Sequence, residues 1–97
     1  MESKIKIALA DDELLFRQGL ISILESERHI EILFDAKNGN DLLQKLKDSE
    51  EKPYIVITDL KMPELNGVEV TKIIKEEYPK IKIIALRVTS VNLSYLT

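Results

Sequence analysis

The sequence predicts an α/β fold built as a doubly wound parallel sheet, and three observations carry that prediction. Four short runs rich in isoleucine, valine and leucine, at 4–10, 30–36, 54–58 and 81–86, have the length and β-branched character of buried strands. Between them, apolar residues recur at helical spacing. The two patterns alternate up to Leu86, the rhythm of β-α-β units whose right-handed crossovers place helices on both faces of a parallel sheet.

Taken in order, Lys4-Ile5-Lys6-Ile7-Ala8-Leu9-Ala10 starts with alternation and turns continuously apolar, as a strand does when its start is wet and its end buried. It runs into Asp11 and Asp12, either of which can cap the helix that follows. From Glu13, Phe16, Leu20, Ile23 and Leu24 form one apolar stripe that is expected to face the sheet. The second strand is Ile30 to Ala36. Asn38-Gly39-Asn40 marks a turn, and Leu42, Leu43 and Leu46 make the stripe of a second helix. The third strand, Tyr54-Ile55-Val56-Ile57-Thr58, stops abruptly at Asp59. Met62-Pro63 blocks helix directly afterwards, and Asn66-Gly67 supplies a turn before a third helix with Val70, Ile73 and Ile74 inward, ended by Tyr78-Pro79. Ile81 to Leu86 is the fourth strand. After it the texture changes: residues 87–97 contain no acid and no lysine, and Val91, Leu93 and Tyr95 alternate with polar residues. Two regions are expected, a domain at 1–86 and an atypical tail at 87–97, strand-like or disordered.

With 97 residues, 44% hydrophobic and 32% charged, the chain has the composition of one small globular domain. A formal net charge of -3 supplies no electrostatic footprint for nucleic acid, so direct DNA binding is not expected. The absence of cysteine removes disulfide, zinc-thiolate and thiol-nucleophile chemistry. No apolar run has the length of a membrane span, and a cytoplasmic location is the expectation. His29, the single histidine, sits in a charged turn and reads as a surface residue.

Chemistry concentrates where strands end in carboxylates. In open α/β sheets, sites form at the carboxyl edge, and adjacent parallel strands would bring Asp11, Asp12 and Asp59 into one pocket there. Three clustered carboxylates repel, at about 4 kcal/mol per contact at 4 Å and an effective dielectric near 20. A hard divalent cation such as Mg²⁺ resolves that repulsion and leaves coordination positions for phosphate oxygens. The pocket suits phosphoryl chemistry, with a carboxylate attacking phosphorus.

An acidic pair after the first strand, a lone Asp after the third, and Lys61-Met62-Pro63 with Gly67 at fixed offsets resemble the receiver domain of bacterial two-component response regulators. Leu15-Phe16-Arg17-Gln18-Gly19-Leu20 and Asp59-Leu60-Lys61-Met62-Pro63 resemble in particular the subfamily with a LuxR-type helix-turn-helix output domain. The resemblance covers Ile5 to Leu86. It implies a flavodoxin-like sheet of order 2-1-3-4 lacking the last helix-strand-helix, and phosphorelay signalling rather than turnover of a separate substrate. It implies that Asp59 accepts the phosphoryl group from a sensor histidine kinase. Mg²⁺ would be bound by Asp12 directly, Asp11 largely through water, Asp59, and the backbone carbonyl of Lys61.

Two departures qualify the inherited roles. Arg87 stands where the family places a Ser or Thr, and no lysine ends a fifth strand. Loss of that cation predicts slow or undetectable phosphorylation with Mg²⁺ still bound. The alternative reading is a phosphorylation-deficient receiver fragment acting only as an interaction module, with a homodimer through the exposed fourth-strand edge and tail. Aspartyl-phosphate phosphatases also place a nucleophilic Asp after a buried strand, but their second Asp two residues on is Lys61 here.

Overall fold

The computed structural model describes residues 3–62 and 65–86. Its elements are β1 (Ile5–Ala10), α1 (Leu14–Glu25), β2 (Ile30–Ala36), α2 (Gly39–Asp48), β3 (Ile55–Asp59), α3 (Gly67–Glu77) and β4 (Lys82–Leu86). The strands form one parallel sheet in the order β2-β1-β3-β4, the doubly wound arrangement that the alternation predicts. Arg87 and the rest of the expected tail, together with Pro63, lie outside the described residues.

Each face of the sheet has its own core. On one face Ala8, Ala10, Ala36 and Val56 pack with Leu42 and Leu46 of α2 and Val70 and Ile74 of α3. On the other, Ile7, Leu9 and Ile57 pack with Leu20, Ile21 and Leu24 of α1. The small alanines matter here, because they let two helices sit close to the strands at full packing density.

A bulge divides β2 between the two cores. Ile7 pairs with Ile32, but the next β1 residue, Ala8, pairs with Phe34, so Leu33 is an extra residue in the ladder. Side chains alternate faces along a strand, and one inserted residue inverts that parity. Ile30 and Ile32 therefore join the α1 face while Phe34 and Ala36 join the α2–α3 face. This is why the run from Ile30 to Ala36 is apolar without strict alternation.

Two local expectations are corrected. Ile23 is 67% exposed, and Ile21 takes its place on the sheet-facing side of α1. Successive helical residues are rotated by about 100°, so Leu20, Ile21 and Leu24 can face the sheet only with Ile23 turned to its flank. Nor does Asp11 or Asp12 cap α1. The cap position is Glu13, which makes no side-chain cap hydrogen bond. The other two helices start as their turns suggest: Asn38 accepts from the Asp41 N–H at 2.7 Å and Asn66 from the Glu69 N–H at 2.9 Å.

Candidate metal and phosphoacceptor site

β1 and β3 are neighbours in register, Ala10 opposite Thr58, so the next residue of each chain segment emerges at the same carboxyl edge. One carboxylate oxygen each from Asp11, Asp12 and Asp59 can be chosen so that all lie within 4.8 Å of one another. Asp11 is buried, Asp12 exposed and Asp59 half-buried. The site thus runs from the protein interior to solvent, with Asp59 reachable from outside.

Each acid is held differently. Asp11 is fixed to the sheet by its N–H, which donates to the Ala36 carbonyl at 3.1 Å, and its Oδ1 accepts the Glu13 N–H at 2.8 Å. Burial pushes its carboxyl above the usual carboxylate range; the Glu13 N–H opposes this, and the charges of Asp59, Asp12 and Glu13 add to it. Asp59 Oδ1 accepts the Lys61 N–H at 3.1 Å; among the described residues its other oxygen accepts no hydrogen bond, and the residue is half-buried. Lys61 itself is exposed and touches the site through its main chain.

The loop after β3 is closed by Gly67. Its N–H donates to the Leu60 carbonyl at 3.2 Å, and a Cβ built on it would lie 2.7 Å from Leu60 Cα and collide with the Asp59 carbonyl oxygen. No side chain fits there without displacing the backbone that carries Asp59. Gly67→Ala is expected to cost about 2–4 kcal/mol of stability in chemical denaturation.

Arg17, which the motif reading quotes without giving it a role, braces the same site. Arg17 of α1 donates from Nε to Asp35 Oδ2 at 2.8 Å and from Nη1 to the Asp11 carbonyl oxygen. It thereby ties α1, the end of β2 and the acidic loop together with a planar two-pronged donor. The available signal was an arginine directly after Phe16 on the helix that faces the sheet. Arg17→Ala should lower stability by about 1–2 kcal/mol and weaken divalent-cation binding several-fold, and Arg17→Lys should restore little of either, as read by thermal unfolding with and without Mg²⁺.

The donor set fits a hard cation. Three carboxylates offer oxygen ligands within 4.8 Å of one another, the ligand type that Mg²⁺ prefers.

A family model described as the response regulator receiver domain matches residues 7–94. The transcriptional regulatory protein LnrK of Bacillus subtilis is 39% identical over 82 residues, covering 84% of this chain and 36% of LnrK. The transcriptional regulatory protein DegU of Brevibacillus brevis is 33% identical over 96 residues, covering 99% of this chain and 39% of DegU. The chain therefore spans less than two fifths of the length of these curated relatives. Among solved structures, the non-phosphorylated receiver domain of the stress response regulator RcsB from Escherichia coli superposes with a TM-score of 0.78 at 25% identity, over 97% of this chain and 71% of that one.

Proposed function

Because the chain belongs to the response regulator receiver domain family, we propose that it takes part in phosphorelay signalling by accepting a phosphoryl group from a sensor histidine kinase on Asp59. The observation that carries this reading is the convergence of three carboxylates at one sheet edge, with one oxygen of the half-buried Asp59 fixed by the Lys61 N–H.

Asp11, Asp12, Asp59 and the Lys61 backbone carbonyl would hold Mg²⁺. When bound, the ion neutralises charge on the acids and on the transferring group. The chain's own residues supply the rest. The Asp59 oxygen not held by the Lys61 N–H attacks phosphorus, the phosphorus–nitrogen bond to the donor histidine breaks, and the electron pair leaves with the imidazole nitrogen. Gly67 keeps the attacking carboxylate in place by permitting the loop to pass against it. Asp11 and Arg17 keep the opposite wall rigid. Arg87 stands where family members supply a hydroxyl, and transfer in this chain is expected to be slow.

The test is incubation with acetyl phosphate and Mg²⁺ followed by intact-mass measurement. A slow gain of one phosphoryl group supports the proposal, and an unchanged mass after prolonged incubation refutes it.

The proposal includes a homodimer through β4. Among the described residues β4 is an edge strand, and Ile84, opposite the buried Ile57, is 46% exposed. Unpaired strand edges with apolar side chains favour association. Light scattering at rising concentration should show a dimer, and a monomer throughout would remove this part of the reading. The output domain, and regulation of transcription through it, are proposed from the LnrK and DegU relatives. Among the described residues no helix is long and apolar enough to cross a membrane.

A further inference from the structure

The sheet has a second developed edge, opposite the carboxylates. There the starts of β1 and β3 and the turn between α3 and β4 surround a pocket of about 670 Å³. Small-molecule sites span about 300–1,000 Å³ and are mostly apolar with a few placed polar groups. This pocket has that make-up. Ile5, Pro53 and Ile81 supply apolar surface, and the rings of Tyr54 and Tyr78 add two aromatic surfaces. Tyr54 is 52% exposed, and Lys82 Nζ lies 6.0 Å from its ring centre.

The rim is cationic, although the chain as a whole carries a net charge of -3. Lys4, Lys6, Lys52 and Lys80 line the pocket. Two of them are committed elsewhere. Lys6 pairs with Glu51, while Lys52 donates to the Leu46 and Ser49 carbonyls at the end of α2 and lies 5.7 Å from the Tyr78 ring centre. Lys4 and Lys80 have no ion pair among the described residues. Two ammonium groups without an ion pair among the described residues therefore border an aromatic-walled hollow.

We propose that this pocket binds a small planar aromatic anion, its ring laid against Tyr54 and Tyr78 and its carboxylate, sulfonate or phosphate group held by Lys4 and Lys80. The tyrosine faces select a flat apolar body over a flexible one, and the ammonium pair selects negative charge. β1 separates the pocket from the acidic site by about 16 Å, five residue steps of about 3.3 Å. The two sites share no residue, so this inference stands apart from phosphoryl transfer.

The probe is the anion 8-anilinonaphthalene-1-sulfonate, titrated into the full chain by fluorescence and by amide chemical shifts, beside the uncharged N-phenyl-1-naphthylamine. The expected result is saturable one-to-one binding of the anion, with shifts concentrated at Tyr54 and from Tyr78 to Ile81. The double variant Lys4→Glu, Lys80→Glu should bind the anion about tenfold more weakly while keeping its unfolding midpoint and its affinity for the uncharged amine. Equal binding by that variant overturns the proposal. So do shifts centred on the exposed Ile84 or on Leu14 and Leu15. Displacement of the probe by a glutamate-rich decapeptide but not by naphthalene carboxylate would also overturn it, since the pocket would then serve an acidic segment.

Discussion

Asp59→Asn is expected to abolish phosphoryl acceptance outright. With acetyl phosphate and Mg²⁺, the intact mass of the variant should not change over a time course in which the parent chain gains one phosphoryl group. The substitution is close to isosteric, and an amide oxygen can still accept the Lys61 N–H now made to Asp59 Oδ1. What is lost is the second, anionic oxygen, which is the nucleophile. Its removal also takes one charge from the cluster of three, so the variant should be at least as stable as the parent in the absence of metal. Circular dichroism and thermal unfolding separate a lost nucleophile from a lost fold. Phosphorylation that persists in a folded Asp59→Asn protein would point to another acceptor.

Asp11→Asn should invert the usual relation between a binding site and stability. The Asp11 carboxyl is raised, first by burial and then by the nearby Asp59 and Asp12, against the pull of the Glu13 N–H. A raised value in the folded state means that the folded chain holds the proton more tightly than the unfolded chain does. Below the ordinary carboxylate range both states are protonated and nothing is lost. As pH rises through the folded-state value, the ionised, desolvated group costs stability, and the cost is fully present above that value. Removing the charge while keeping an acceptor for Glu13 should therefore stabilise the metal-free protein at pH 7 by about 1–2 kcal/mol, the Coulomb repulsion being reduced by solvent around Asp12. The gain should vanish at acidic pH. Mg²⁺ reverses the order: at a hundred times its dissociation constant it should stabilise the parent by about 2.7 kcal/mol and the variant far less. Urea denaturation at pH 7 and pH 3, with and without Mg²⁺, reads all four arms. An Asp11→Asn protein that is less stable than the parent without metal would contradict this electrostatic picture.

Much of this was legible in the sequence, because local chemistry dictates it. Ile55 to Thr58 is a β-branched run buried from Val56 onward, so Asp59 had to emerge at a strand end, and Asp11 and Asp12 follow a strand of the same kind. Parallel neighbours in register then place the acids together. The illegible parts depend on contacts between distant residues. Leu33 is one apolar residue among several, and only pairing with β1 shows that it is the inserted one. Helical spacing admitted Ile23 as readily as Ile21, and the choice fell to the shape of the surface formed by Ile7, Leu9 and Ile57. Arg17 meets Asp35 and the Asp11 carbonyl only after three elements have docked. The fold also brings Lys80 to the rim of a pocket with Lys4 and sets Lys82 6.0 Å from the Tyr54 ring centre, neighbours that are far apart along the chain.

The most direct measurement is the position of the phosphoryl group itself. After treatment with acetyl phosphate and Mg²⁺, borohydride reduction converts an acyl phosphate to an alcohol that survives digestion and is read by peptide mass spectrometry. The account predicts a reduced side chain at position 59, absent when EDTA replaces Mg²⁺. Label at Asp11 or Asp12, or label at Asp59 that does not depend on the metal, would contradict it.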